Sequence, residues 1–564
     1  MGSELGITAD QKPEAVYSPV AIWWVVWGCV WTAIVASGMA FLIIRRNSPI
    51  LRVRSLLLSL AAIGFLHIYW WSVQFGVMIG PLLPGDAQYW IMGTWLPCGL
   101  ALFHGSNCYF LHIAKMQKKY AKYSFLTDST PDAKRQPTGL LHKFRRLEYT
   151  TRVVILVAIA MFVQVLLTIL MWVISRKFHS SWGAPGTEVH GTPMEQLVEQ
   201  GRGWEWWPGV FWQFFWSWVV APIVLWRSRH IHDTQGWRTQ TIACSLAGLH
   251  ATPMWLIALY VPAMEKVNTY FIPPQWICVS IMFLEIFTVL LPCWEVMRHQ
   301  SLHKDTLEAI KQWENRIKGA NSDSKSLGSA ATMVDSMMSG WKSNNDSVIS
   351  DSSARESILN MSALEYVLER NPSSLQRFSA LNDFSGENVA FLTSVTEWKA
   401  LLPKALCEGH EATDEMTQQM VREAFNRALY IYAEFISTRH AEFPVNISSQ
   451  DLKKLDIIFE TPARILYGDE KAEVDPAAPF NGPGTPSPTH SNFSESSVAA
   501  IKNRAQYMGE IPKGFTAGVF DDAENSIKYL VLTNTWPKFV KRQRRISTDS
   551  TETLHAGNTS DFVV

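Results

Sequence analysis

Cysteine is scarce in this chain, seven residues in 564. Cys29, Cys98, Cys108, Cys244, Cys278, Cys293 and Cys407 form no CxxC pair and no cluster at metal-ligand spacing, so neither zinc nor a disulfide framework is expected. Net charge is lacking as well, with 50 basic against 50 acidic side chains, and nothing points to nucleic acid as a partner. No cleavable signal peptide is expected, because the first apolar run begins near Val20 and is already long enough to span a bilayer. Walker loops, nucleophile elbows, HxxE pairs and paired acid–base sets are missing, so the sequence offers no chemistry of its own and no cofactor.

What is present is unevenly spread. Apolar and aromatic residues crowd the first 300 positions, together with most of the 25 tryptophans. Segments near Val20–Ile44, Ser55–Ile79, Tyr89–Ala114, Val153–Ile174, Trp204–Trp226, Thr239–Val261 and Trp276–Met297 each meet the roughly 20-residue length needed to cross the hydrocarbon core. Basic residues alternate between their connections. Arg45, Arg46, Arg52 and Arg54 follow the first segment, a longer run from Lys115 to Arg152 follows the third, and Arg227, Arg229 and Arg238 follow the fifth. The alternate connections are poor in bases, so the N-terminus is expected outside and the C-terminal half in the cytoplasm, at the plasma membrane.

Within these segments the polar side chains are His67, His104, Asn107, Gln164 and Glu285. An ionisable group at such depth faces the bundle or a cavity, which makes Glu285, His104, Asn107 and His67 candidates for a small-molecule or proton site. Hydrogen bonds that merely tie helices together are the alternative, and both readings stay open. Pro97, Pro222, Pro253 and Pro292 are expected to kink their helices. The run Trp204, Trp206, Trp207, Trp212, Trp216 and Trp218 reads as an interfacial belt more simply than as an outer binding pocket. Rhodopsin-like receptors are not indicated: Cys98 lies too deep for their outer disulfide, and His112-Ile113-Ala114-Lys115 stands where their acidic-Arg-Tyr motif would be.

Beyond the last segment, His303–Lys318 reads as a charged helix with Leu307, Ile310, Trp313 and Ile317 at helical spacing. Residues 319–357 are rich in Ser, Asn and Asp, a passive tether or a target for phosphorylation. From about Ser357 amphipathic helices resume, at Ser362–Glu369, Leu375–Leu381, Gly386–Leu402 and Thr413–Thr438. The third has Val389, Phe391, Leu392, Val395 and Trp398 as its apolar stripe; the fourth has Met416, Met420, Val421, Ala424, Leu429, Ile431, Tyr432, Phe435 and Ile436 as expected core. A small all-α bundle is the natural reading.

Three blocks of this region resemble one family. Phe384-Ser385-Gly386-Glu387-Asn388 with Phe391-Leu392 is similar to the F-S-x-E-N-x-x-F-W motif of regulator-of-G-protein-signalling (RGS) domains. Ile431-Tyr432, Phe435-Ile436 and Val445-Asn446-Ile447 continue the likeness, and Phe520-Asp521, Ala523, Leu530 and Asn534-Thr535-Trp536 with Lys538-Phe539 complete it. The resemblance implies a cytoplasmic all-helical bundle over 358–540 that binds a GTP-loaded heterotrimeric G-protein α subunit and speeds its hydrolysis. It assigns contact to Ser385, Glu387, Asn388, Asn446, Leu530, Asn534, Thr535 and Lys538, and leaves Phe378, Phe384, Phe391, Phe520 and Trp536 to the core. Read from the residues alone, Asn388 and Asn446 are better taken as caps of helices or turns, a preference that the resemblance reverses. Leu392 departs from the family's Trp, Asn534 from its Asp, and Lys538 from its Arg.

The expected organisation is therefore all-α. An extracellular segment 1–19 precedes a seven-transmembrane helix bundle 20–298, a helical extension and Ser-rich linker 299–357, and an RGS-type bundle 358–540 with a Pro-rich insertion near 471–497. The tail 541–564 opens on Lys-Arg-Gln-Arg-Arg-Ile-Ser, which reads either as a plain solvated tail or as a patch for anionic membrane lipid with Ser547 as a candidate phosphorylation site. This organisation resembles receptor-like RGS proteins of fungi and plants. A ligand-activated receptor with a built-in brake, and a transporter or channel that uses the domain as a scaffold, are the alternative functions.

Overall fold

The computed structural model describes residues 12–52, 54–122, 149–179, 181–319, 359–408, 415–468 and 506–543, with Ile7 and Phe144. The serine-rich part of the linker, the Pro-rich insertion and Ser547 lie outside the described residues. The chain divides into two compact units. The first holds 1–113 and 139–298; the second holds 114–138, 299–474 and 482–564. Helix is the regular structure throughout, and among the described residues the β-pairing found is one isolated bridge, Ser175 with Ala184.

Six helices that begin in the first unit are long and apolar enough to cross a membrane. These are α1 (Pro19–Ile44), α2 (Leu56–Gln74), α4 (Thr151–Ile174), α5 (Trp204–Ser228), α6 (Trp237–Tyr260) and α7 (Gln275–Gln312). The third expected span is also helical, α3 (Gly85–Gln117), and its 33 residues are ample in length. It falls short in apolarity, since His104, Ser106 and Asn107 take up buried positions in its middle. The start of α1 follows from local chemistry: the Ser18 hydroxyl accepts from Ala21 N at 3.2 Å, and Pro19 gives up an amide hydrogen that would otherwise lack a partner.

Two of the four prolines, Pro222 and Pro292, act through the backbone upstream of them. Phe215–Val220 and Ile286–Leu290 are π-helical segments that lie just before Pro222 and Pro292. The wider turn accommodates the ring and the missing donor without ending the helix. The interior is built from Trp31, Leu66, Tyr69, Trp70, Phe103 and Trp255 among others. Outward, Ile159, Phe162, Leu166 and Trp218 are exposed. Each such side chain forgoes about 1.5–3 kcal/mol of burial in water, so this surface suits hydrocarbon.

The second unit contains α8 (Met361–Arg370), α9 (Pro372–Phe378), α10 (Gly386–Ala400), α11 (Glu415–Ile431), α12 (Ser449–Tyr467) and α13 (Asp521–Leu530). Side-chain caps open α8 at Asn360 and α12 at Ser448. All five residues of the stripe expected on α10 are buried, as are Phe378, Phe384, Phe520 and Trp536. Phe391, Trp398, Phe425, Phe459, Phe515 and Phe520 meet mostly edge to face, and the Trp398 indole donates to Ala424 O at 2.9 Å. One expectation fails on α11. Met416 and Met420 are 74% and 44% exposed. The helix meets the core from Ala424 onward, and its first turns continue an amphipathic pattern past the packing that would use it.

Candidate functional site

The turn between α9 and α10 gathers most of the expected contact residues. Ser379–Asp383 forms a π-helical turn, and Phe384 then adopts φ 52°, the only positive φ of a non-glycine residue among those described. A bulky side chain in the left-handed region costs about 1–2 kcal/mol, and burial of the Phe384 ring holds it there. Strain of this kind collects where a backbone must aim particular groups. Here it turns the chain so that Ser385, Glu387 and Asn388 follow at the start of α10.

Asp383, which sequence reasoning passed over, is the hub. It is 4% exposed. Its Oδ1 accepts from Lys538 Nζ at 2.6 Å, and its Oδ2 accepts from the hydroxyls of Thr535 at 2.9 Å and Ser385 at 3.1 Å. The hydroxyls of Ser385 and Thr535 are also 3.2 Å apart. Two of the three sequence blocks thus meet in space. The same bonds show that Thr535 is a buried positioning group and that Ser385 and Lys538 are held by Asp383.

Neither asparagine is a cap. Asn388 lies inside the first turn of α10, 7% exposed, with its Nδ2 3.4 Å from Glu387 Oε1 and its Oδ1 buried without a partner among the described residues. An unsatisfied buried acceptor of this kind costs about 1–3 kcal/mol. Asn446 is exposed in the turn before α12, whose cap is Ser448 instead. That turn is fixed by Val445 N donating to Phe435 O at 2.8 Å. Leu530 is half-buried at the end of α13. Asn534 is half-buried and within hydrogen-bonding reach of His299.

A segment from far earlier in the sequence belongs to this unit, 114–122. Gln117 Oε1 accepts from Gly386 N at 3.0 Å, and Gln117 Nε2 donates to Glu387 Oε2 at 3.0 Å. It thereby supplies the N-terminal cap that Ser385 does not give α10. Tyr120 is fully buried in the bundle core beside Phe435 and Phe443, and its carbonyl accepts from Gln376 Nε2 at 2.9 Å. Lys119 pairs with Glu434 at 2.6 Å. Gly386 makes room for this segment, since a Cβ there would sit 2.8 Å from Cβ of Tyr120 and of Ala380.

The candidate residues of the first unit divide into separate places. Glu285 is fully buried, its Oε2 accepting from Trp31 Nε1 at 2.5 Å and its Oε1 lying 2.7 Å from His67 Nδ1. His67 Nε2 is 3.0 Å from the Thr32 hydroxyl, which donates on to Gly28 O. One network therefore joins α1, α2 and α7. His104 stands apart, stacked on Trp216 at 5.0 Å, with Nδ1 unpartnered among the described residues. It borders a cavity of about 30 Å³ lined by Leu100, Gln213, Ser217, Cys244 and Leu284 among others. That is room for about two waters, far below the several hundred Å³ of a small-molecule site. Asn107 is buried with its Oδ1 unpartnered among the described residues and belongs to neither group.

Among the described residues no group of His, Cys, Asp and Glu is arranged to hold a metal ion. No protein-family model matches the chain, and neither the curated proteins nor the solved structures contain a match.

Proposed function

We propose that this chain is a membrane-tethered GTPase activator for a heterotrimeric G-protein α subunit, with α3 as a seventh span and the second unit as a cytoplasmic RGS-type bundle. The observation that carries the reading is the Asp383 hub. It brings the strained turn Phe384–Asn388 against Thr535 and Lys538, residues about 150 positions away in the chain, and these are two of the blocks that resemble the family.

The activity needs no catalytic group from this chain. An α subunit carries its own arginine and glutamine, yet hydrolyses GTP at only about 10⁻² per second. A surface that binds the switch segments best in their transition-state arrangement speeds that step by differential binding, tenfold for each 1.4 kcal/mol of preference. Glu387, Asn388 and the exposed amide of Asn446 are the groups that would contact the switches. Short side chains on a fixed turn lose little freedom on binding. The Asp383 hub would set the angle at which α10 presents them, while Leu530 and Asn534 flank the surface.

On this reading the first unit places the bundle at the plasma membrane, N-terminus outside, where a lipid-anchored α subunit is concentrated. A receptor role finds no prebuilt ligand pocket in the 30 Å³ cavity beside His104. The test is single-turnover GTP hydrolysis by a panel of α subunits with fragment 350–545. Acceleration of tenfold or more is expected with a cognate α subunit, and Asn446→Ala should remove most of it while leaving the melting temperature unchanged. A folded fragment that accelerates no α subunit of its source organism would end the proposal.

A further inference from the structure

The segment 114–122 lies on the surface that the proposed function requires to be open. Gln117 engages both Gly386 N and Glu387 Oε2, so the first turn of α10 is already occupied, one of its two bonds being charge-assisted. Tyr120 anchors the segment in the core, and Lys119 adds an ion pair to Glu434. Asn388 Oδ1 is sealed from solvent and has no partner among the described residues. An acceptor intended for an incoming protein is therefore covered in this arrangement. A second segment adds to the first: His299, within the helical course that begins at Gln275, is in reach of Asn534 and of the charges of Lys538 and Asp383.

We propose that 114–122 is an intramolecular plug over the α-subunit contact surface, clamped by Gln117 and assisted by His299, and that the bundle engages its partner only when this plug lifts. The inference rests on the function proposed above. The plug is the direct continuation of α3, and His299 continues α7, so each restraint is covalently attached to a helix of the first unit. Gln117 already occupies the face of α10 that carries Oε2 of Glu387 and the Gly386 amide, which makes plug and α subunit competitors for the same turn.

Gln117 is the residue to change, because its bonds are to the turn and not to the core. Gln117→Ala removes one neutral and one charge-assisted hydrogen bond, and Gln117→Glu also sets two carboxylates against each other. In the full-length chain in lipid nanodiscs, either variant should raise the acceleration of GTP hydrolysis about tenfold or more above wild type. A gain of activity cannot arise from misfolding. Hydrogen exchange gives a readout independent of activity: amides of 114–122 should be protected in the full-length wild type, and exposed by Gln117→Glu or by adding an activated α subunit.

Full-length wild type that accelerates as well as both variants overturns the plug while leaving the GTPase-activating reading intact. So does an activated α subunit that binds without changing exchange at 114–122. If 114–122 is protected and responds to Gln117→Glu, but neither the variants nor fragment 350–545 binds any activated α subunit, the functional reading falls and the competition with it.

Discussion

Replacing Asp383 should damage the second unit more than any other single polar change, and the expected size follows from its bonds. Asp383→Ala removes the acceptor for Lys538 at 2.6 Å, Thr535 at 2.9 Å and Ser385 at 3.1 Å. Breaking a buried ion pair from one side costs about 3–5 kcal/mol, because the remaining charge is left without its partner. Ser385 is better placed to find water, so we expect a total near 4 kcal/mol, a large part of the 5–15 kcal/mol that holds a typical domain. Asp383→Asn keeps the shape and can still accept from Lys538, which should limit its cost to about 1–2 kcal/mol. Lys538→Met in the Asp383→Ala background removes the stranded charge and should restore about 1–3 kcal/mol. Urea unfolding of fragment 350–545, which contains Asp383, Ser385, Thr535 and Lys538, measures these costs together with that of Lys538→Met alone. An Asp383→Ala cost below 1 kcal/mol, or additive effects of Asp383→Ala and Lys538→Met, would refute the hub.

Gly386→Ala should destabilise the full-length protein by about 1–3 kcal/mol, since its Cβ would lie 2.8 Å from both Tyr120 and Ala380; a thermal melt in nanodiscs indistinguishable from wild type would show that the segments are not so close. Burial pushes the Glu524 carboxyl up, but hydrogen bonds from Lys399 and Lys528 outweigh it and hold it below the usual carboxylate range. A depressed folded pKa contributes stability that is complete above the unfolded value, near 4.5, and is lost as the pH falls through the folded one. Fragment stability measured by urea should therefore fall more steeply below pH 4.5 for wild type than for Glu524→Gln. Glu285→Gln replaces one of the two acceptor oxygens that Trp31 and His67 engage and should lower the melting temperature of the full-length protein in nanodiscs by several degrees; no change would mean that the three side chains are not coupled.

Periodicity made the local faces legible. The stripe of α10 and the later part of the α11 stripe are buried where the spacing of their apolar residues puts them. Met416 and Met420 mark the limit of that signal, which reports which side of a helix is apolar but not how far a neighbour extends along it. Glu285 and His67 stood out because charge is rare in such company, whereas their pairing across more than 200 residues did not. Asp383 was hidden by its type, since an acid before a turn ordinarily faces water. Gln117 and Tyr120 were hidden for a related reason: in a run of lysines after an apolar helix they read as a connecting loop. Their partners lie more than 250 residues downstream, where no local pattern reaches.

The network around Glu285 also bears on how the protein is made. Trp31, Thr32 and His67 belong to the first two helices of the chain, and Glu285 follows Trp31 by 254 residues. At a synthesis rate of about 5–20 residues per second, the early helices wait roughly 10–50 s for the carboxylate that joins them. During that interval an indole donor and an imidazole lack their principal partner. Any chain that stops before α7 lacks Glu285 and leaves the first two helices without the side chain that joins them.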